Sequence, residues 1–200
     1  MRWPDRPWGP LMYGLAATLA LAEIVILWQA IHPQVSPEFR AYYIDRSTTC
    51  LPLPGTGAYT LGTEIDFRSG GSETRQLLSC GWDGPAGDGM HALGETSMLH
   101  FATGPAQDLT LMLELTGVTL PGPPQQTVDV SVNGTPIGTL ELAPGETKRV
   151  HFPVPATALG EHDFADIRLD FPDAISPREG IANNYKRSIK LVAVRLAPTS

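Results

Sequence analysis

The longest apolar run in the chain extends from Leu11 to Ile31 and contains one ionisable residue, Glu23. As an α-helix with a rise of about 1.5 Å per residue, it reaches about 31 Å, which matches the hydrocarbon core of a bilayer. We therefore predict a transmembrane helix over residues 11–31. This helix divides the chain into a short tail over residues 1–10 and a much longer part on the other side.

Beyond this run, short segments alternate apolar and polar residues, which is the pattern of half-buried β-strands. Gly, Pro, Asn and Asp separate the segments, and no long segment has the helical period of 3.6 residues. The predicted strands cover residues 60–67, 97–102, 109–115, 127–132, 135–142, 148–154, 166–171 and 189–196. The pattern predicts an all-β fold, a jelly-roll-like antiparallel β-sandwich over residues 55–200.

Asn133-Gly134 stands between two of these strands and predicts a hairpin with a two-residue type I′ turn. With Thr135 the same residues also form a glycosylation acceptor pattern. The hairpin explains them fully, so we give the acceptor interpretation little weight.

Residues 32–54 contain several prolines and are predicted to be a linker. Residues 37–46 could form a short helical turn on the membrane surface. Tyr42 and Tyr43, like Trp28, suit the aromatic belt at a membrane–water interface.

Arg2 and Arg6 precede the apolar run, whereas the flank after it has no excess of basic residues. The positive-inside rule places the N-terminus in the cytoplasm and the long part of the chain outside. A cleaved signal peptide is the competing interpretation, because Ala20-Leu21-Ala22 has the small-x-small form of a cleavage site. The apolar run continues through Trp28, which favours an uncleaved anchor. Both interpretations predict export.

Glu23 lies near the centre of the predicted membrane helix, where a carboxylate is costly and usually faces protein or water. Ala16 and Ala20 add small residues that allow another helix to approach closely. We predict that Glu23, Ala16 and Ala20 form a helix–helix contact with another integral membrane protein.

The chain is acidic, with 21 Asp and Glu against 14 Lys and Arg and a formal charge of −7. It has no basic cluster, which argues against nucleic acid or anionic lipid as a partner. Cys50 and Cys80 are the only cysteines. Both lie in the exported part, so we predict that they form a structural disulfide.

The chain shows no nucleophile elbow, phosphate loop or dinucleotide fingerprint, and no pair of carboxylates stands out as a hydrolytic pair. We predict that it is not an enzyme. Its five histidines lack metal-ligand spacing, and no cofactor is predicted. Asp83, Asp88 and Glu95 lie in a glycine-rich loop whose oxygen atoms could hold a structural calcium ion, although their spacing does not match an EF-hand.

Four stretches together resemble one family: residues 59–67, Cys80 to Pro85, Val130 to Gly134 and Phe171 to Pro177. They are similar to the jelly-roll domains, themselves like carbohydrate-binding modules, that are fused to bacterial membrane glycosyltransferases and envelope polysaccharide proteins. The resemblance implies a bacterial inner-membrane protein whose main domain is periplasmic. It also implies a glycan site at Trp82, Asp83, Asp88 and His91.

The chain departs from that family at two positions of this site. Ala86 stands where the family has an acidic residue, and His91 stands where it has a tryptophan. A carboxylate and an aromatic ring are the groups with which proteins hold sugars, so these replacements weaken the predicted site. For Trp82 itself, a core role is favoured over sugar stacking.

Two functions follow. The first is a non-catalytic accessory subunit of a larger bacterial membrane complex (photosynthetic, respiratory or polysaccharide-synthesising), with the sandwich docked on the outer face of a partner. The second is a glycan-binding module in envelope polysaccharide synthesis or export. The replaced residues favour the first.

Overall fold

A computed structural model describes residues 8–32, 34–51, 56–177 and 185–199 of the chain. The chain forms two compact units, one ending at Pro37 and the other beginning at Glu38.

The first unit consists mainly of helix α1, Trp8–Ile31. Its segment Met12–Ile31 has a mean hydropathy of 1.8, and by length and composition it could cross a membrane or serve as a signal sequence. Every side chain of this segment is exposed, including Glu23, Ala16 and Ala20. The predicted helix–helix contact therefore stays a prediction.

The second unit begins with helical turns and continues as β-structure. The short helices are α2 (Pro37–Phe39), a π-helical turn over Arg40–Ile44, α3 (Ser72–Leu77) and α4 (Ala156–Leu159). The strands are β1 (Glu64–Asp66), β2 (Leu78–Cys80), β3 (Trp82–Ala86), β4 (Gly89–Ala92), β5 (Thr96–Ala102), β6 (Leu109–Gly117), β7 (Gln126–Val132), β8 (Thr135–Leu142), β9 (Thr147–Val154), β10 (Phe164–Asp170) and β11 (Ile189–Pro198).

Two antiparallel sheets form the sandwich, which confirms the predicted fold class. One sheet has the strand order β3-β4-β11-β6-β9, and the other has the order β2-β5-β10-β7-β8. Strand β1 pairs with β11 at residues 193–195, whereas β4 pairs with it at residues 190–191. Strand β11 therefore pairs with both β4 and β1, which contact consecutive parts of β11.

Alternation along the strands sets which residues reach the core. In β5, β7 and β10, buried residues alternate with partly or fully exposed ones along the whole strand. Phe67, Phe101 and Phe171 are fully buried, together with the inward leucines of β6. This contiguous apolar core stabilises the sandwich, because burial contributes about 25 cal/mol for each Å² of apolar surface removed from water.

The predicted hairpin is confirmed. Val132 pairs with Thr135, and the φ angles of Asn133 and Gly134 are 47° and 81°, as a type I′ turn requires. The Asn133 amide donates to the Phe164 carbonyl at 3.1 Å and accepts from the Asp166 N–H at 2.8 Å. The side chain thus serves the fold, which explains this residue without glycosylation.

Three strands and two short helices were not predicted. The prediction over residues 60–67 was too long, because only Glu64–Asp66 is strand and Gly62 lies in a turn with φ of 90°. Strands β2, β3 and β4 and helices α3 and α4 were missed. They are short, and the β3–β4 hairpin is rich in glycine, which hides a two-residue period.

Candidate binding groove

Trp82 begins strand β3, and its indole N–H donates to the Met98 carbonyl at 2.8 Å. The ring is partly buried and packs against the core. The expected core role is therefore correct for one side of the ring. The ring also lines a groove on the surface of the second unit.

The three acidic residues of the predicted calcium loop each pair with a different basic residue. Asp83 accepts from Arg187 at 2.7 Å, Glu95 accepts from Lys186 at 2.5 Å, and Asp88 pairs with Lys190. Within the residues that the structure describes, no group of three or more His, Cys, Asp or Glu side chains is placed to hold a metal ion. Asp83, Asp88 and Glu95 thus act as partners of basic residues just before β11 and at its start.

His91 lies beside Lys190 in the β4–β11 pairing, with its Nε2 atom 4.0 Å from Asp88 Oδ1. Burial lowers the pKa of His91, and the positive charge of Lys190 lowers it further. His91 and Asp88 do not line the groove that Trp82 lines. The structure therefore separates the four predicted glycan-site residues: Trp82 lies in the groove, while Asp83, Asp88 and His91 belong to the ion pairs around β11.

The groove has a volume of about 390 Å³, and residues from distant parts of the chain line it. Aromatic rings, threonines, one arginine and one leucine form its walls. They are Tyr42, Tyr43, Arg46, Thr48, Thr49, Trp82, Leu93 and Tyr185. A concave surface with several rings and a few polar groups is the usual form of a site for an organic ligand.

One wall comes from the segment that follows α1 in the chain. Tyr42 and Tyr43 lie in the π-helical turn with their ring centroids 4.7 Å apart, edge to face. Phe39 also contacts Tyr43, with their ring centroids 4.5 Å apart. These contacts leave Tyr43 about half exposed, at 53%.

The opposite wall belongs to the sandwich, and two links hold the walls together. The disulfide between Cys50 and Cys80, which was predicted from the sequence, joins the segment that follows α1 to strand β2. The Thr49 hydroxyl donates to the Leu93 carbonyl, next to the groove. The segment assigned to a linker therefore has a structural place in the domain.

Sequence reasoning missed Tyr42, Tyr43, Arg46 and Tyr185 as site residues. The two tyrosines were assigned to a membrane belt, and Tyr185 precedes the last strand without any motif. The available signal was the disulfide, because it ties residue 50 to the strand that leads into Trp82.

A second concavity, about 520 Å³, lies on the outer face of the sheet formed by β7, β8 and β10. Its polar groups pair with each other: Arg168 with Asp170 at 2.8 Å, and the Thr139 hydroxyl with Asp129 at 2.7 Å. Among the described residues that line it, none is aromatic. Its charged groups are thus engaged within the protein, and its lining offers no ring to a ligand.

No protein-family model and no curated protein matches the sequence. Solved structures of carbohydrate-binding modules share its fold class. The CBM22-2 xylan-binding domain of Paenibacillus barcinonensis Xyn10C has a TM-score of 0.44 and 11% identity, and the match covers 68% of this chain and 99% of that one.

Two further similar structures are CBM36 modules. One, in complex with calcium and xylotriose, has a TM-score of 0.40 and 9% identity over 68% of this chain and 99% of its own. The other comes from a xylanase of the hindgut metagenome of Trinervitermes trinervoides and has a TM-score of 0.40 and 12% identity. The match covers 69% of this chain and 98% of that one. With such low identities and TM-scores, no ligand of these proteins is transferred to this chain.

Proposed function

We propose that this protein is a non-catalytic glycan-binding module, and that the groove between Trp82 and the tyrosines holds the sugar. The observation that carries the proposal is the groove itself: four aromatic residues from three distant parts of the chain line one cavity together with two threonines and Arg46. Aromatic faces suit the C–H faces of pyranose rings, and hydroxyl groups exchange hydrogen bonds with sugar hydroxyls.

The exposed apolar side chains of the second unit support this site. In the described part of that unit, the large hydrophobic residues that are exposed lie in or beside the groove: Phe39, Tyr42, Tyr43, Ile44 and Tyr185. Exposed apolar clusters mark binding surfaces more often than chance would give. Trp82 adds a ring that cannot turn away, since its N–H is bonded to Met98.

We further propose that α1 is an uncleaved anchor and that it displays the groove on the periplasmic side of a bacterial inner membrane. The apolar segment Met12–Ile31 is long enough to span the bilayer. The partner would then be a polysaccharide at the outer surface of that membrane. The groove thus favours the function that the sequence ranked second.

The test is calorimetric titration of the full-length protein with a panel of oligosaccharides, in a detergent whose headgroup is not a sugar. We expect saturable binding of at least one glycan. Tyr185→Ala should weaken it about fivefold, since an aromatic contact contributes roughly 1 kcal/mol beyond area. Tyr13→Ala, which removes an exposed tyrosine of α1, is the matched control and should leave the affinity unchanged.

Absence of binding to every glycan of the panel would contradict the proposal. So would a glycan that binds Tyr185→Ala, Tyr43→Ala and the unmodified protein equally, because the sugar would then lie elsewhere. Circular dichroism of each variant verifies that the sandwich is folded.

A second, separate function rests on helix α1. Its exposed Glu23 would face lipid in an isolated membrane helix, which is unfavourable by a few kcal/mol. We propose that Glu23, with Ala16 and Ala20, contacts another membrane protein, so that the module is an accessory subunit of a complex.

Mass spectrometry of proteins co-purified from native membranes should show a partner that is lost with Glu23→Leu and retained with Ile24→Leu. Equal recovery with both variants would contradict this contact.

A further inference from the structure

We propose that the groove selects acidic glycans, with the Arg46 guanidinium pairing with a carboxylate or phosphate group of the bound sugar. This inference rests on the proposed glycan-binding function and specifies its substrate class. Two observations support it: the groove is lined by a cation and no carboxylate, and Arg46 forms no ion pair among the described residues.

The groove is positive in a protein that is negative as a whole. The chain has a formal charge of −7, yet the described residues that line the groove include Arg46 and no carboxylate. Three carboxylates close in sequence to the lining residues are already paired: Asp45 with Arg40, Asp83 with Arg187 and Glu95 with Lys186. A negative group of a ligand would therefore meet one cation and no competing anion inside the groove.

Arg46 differs from most arginines of the second unit because, among the described residues, it forms no ion pair with a carboxylate. Ion pairs to carboxylates engage Arg40, Arg68, Arg149, Arg168 and Arg187. Over the ranges that the structure describes, Arg46 makes none, and the neighbouring Asp45 pairs with Arg40 at 3.5 Å instead. Its side chain is exposed at the groove, so the guanidinium is accessible to an incoming anion.

The backbone at Arg46 has a φ angle of 49°, in the left-handed region. A residue with a Cβ atom pays about 1 kcal/mol there, and glycine or asparagine would adopt the conformation at lower cost. The backbone therefore does not call for arginine at this position. What arginine adds is the guanidinium at the groove.

The chemistry of the guanidinium matches an acidic sugar. Its planar fork donates two parallel hydrogen bonds to a carboxylate or phosphate, and such charge-assisted bonds are about twice as strong as neutral ones. A pyranose stacked on the tyrosine rings carries its substituents at the ring edge. A carboxylate at that edge can bind Arg46, which shares a wall of the groove with Tyr42 and Tyr43.

The experiment compares a hexuronate oligosaccharide with the same oligosaccharide after chemical reduction of its carboxylates to alcohols. Full-length protein is titrated with each in a calorimeter, in a detergent without a sugar headgroup. We expect the acidic form to bind about tenfold more tightly, and the difference to shrink as salt is raised.

Arg46→Gln should lower the affinity for the acidic form to about that of the reduced form, and it should weaken the reduced form much less than the acidic form. Arg75→Gln is the matched control: Arg75 is exposed on α3, lies outside the groove and, among the described residues, makes no ion pair. It should leave both affinities unchanged.

Equal affinities for the acidic and reduced forms would overturn the inference while leaving glycan binding intact. Equal losses in Arg46→Gln and Arg75→Gln would also overturn it, because the effect would then reflect overall charge. A phosphorylated oligosaccharide that binds more tightly than the hexuronate, and depends on Arg46, supports the inference with phosphate as the anion. If no oligosaccharide binds, the proposed function itself fails.

Discussion

The indole N–H of Trp82 and the carbonyl oxygen of Met98 are joined by a 2.8 Å hydrogen bond that fixes the ring at the groove. Trp82→Phe keeps an aromatic ring but leaves this carbonyl without its donor. We expect a loss of about 1 kcal/mol in the free energy of unfolding, the usual contribution of one hydrogen bond. Glycan affinity should fall several-fold, because the smaller ring is no longer held in place.

Urea unfolding and calorimetric titration of Trp82→Phe measure the two effects. Tyr43→Phe provides the comparison, since the Tyr43 ring stays and the Trp82 bond is untouched. A Trp82→Phe protein of unchanged stability and unchanged affinity would contradict the role given to this hydrogen bond.

Gly81, just before Trp82, has a φ angle of 76°, and a Cβ atom there would lie 2.0 Å from the Thr96 carbonyl oxygen. Its own carbonyl accepts from the Leu93 N–H at 2.7 Å. Gly81→Ala should therefore lower the free energy of unfolding by about 3 kcal/mol or more.

Thermal unfolding followed by circular dichroism tests this against Gly84→Ala. At Gly84 an added Cβ atom meets nothing within 4 Å, so the change should be within about 1 kcal/mol. Two variants of equal stability would show that the strand pairing around Gly81 is looser than described.

The disulfide between Cys50 and Cys80 spans 30 residues and attaches one wall of the groove to the sandwich. Replacing both cysteines by alanine should destabilise the domain by roughly 3 to 4 kcal/mol, the value expected for a loop of this size. Glycan affinity should fall further than the stability loss explains, because Tyr42 and Tyr43 lose their attachment. Titration under conditions where circular dichroism shows a folded sandwich separates the two effects, and unchanged affinity would contradict the two-wall description.

Asn133 carries the β7–β8 turn and bonds to β10 through both ends of its amide. Asn133→Gly keeps the turn conformation and removes these bonds, so we expect a loss of about 1 to 2 kcal/mol in unfolding free energy. Asn133→Ala should cost about 1 kcal/mol more, because its Cβ atom disfavours a positive φ. Chemical denaturation of the pair provides the measurement, and the reverse order of stabilities would contradict the assignment of the turn.

Burial is the main cause that lowers the pKa of His91, and the positive charge of Lys190 lowers it further. A histidine pKa that is lower in the folded state means that the unfolded chain binds the proton more tightly. Stability should therefore decrease as the pH falls through the ordinary histidine value of about 6.5. His91→Gln should remove this part of the pH dependence. Unfolding measured between pH 5 and 8 tests it, and an identical pH profile for both proteins would be the contradicting result.

The fold was largely predictable because alternation governs it locally. In β10, for example, Ala165, Ile167 and Leu169 are buried between more exposed neighbours, and the sequence shows that period directly. Strand β3 was not predictable in this way, since Asp83, Gly84 and Pro85 carry no alternation and the strand is an edge that tolerates proline.

The candidate site was less predictable because long-range contacts create it. Trp82 was identified from a motif, but its groove partners lie about 40 residues before it and about 100 after it, at Tyr43 and Tyr185. Asp88 and His91 are close to Trp82 in sequence, yet strand pairing directs them to Lys190. Closeness in the chain was thus a poor guide to closeness in the site.

Hydrogen–deuterium exchange of the full-length protein with and without its tightest-binding oligosaccharide tests the central claim most directly, because it locates the ligand. The account predicts slower exchange in two places, residues 42–49 and the amides around Trp82 and Leu93. Slower exchange at Asp129 to Thr139 and around Arg168, on the outer face of the other sheet, would contradict it.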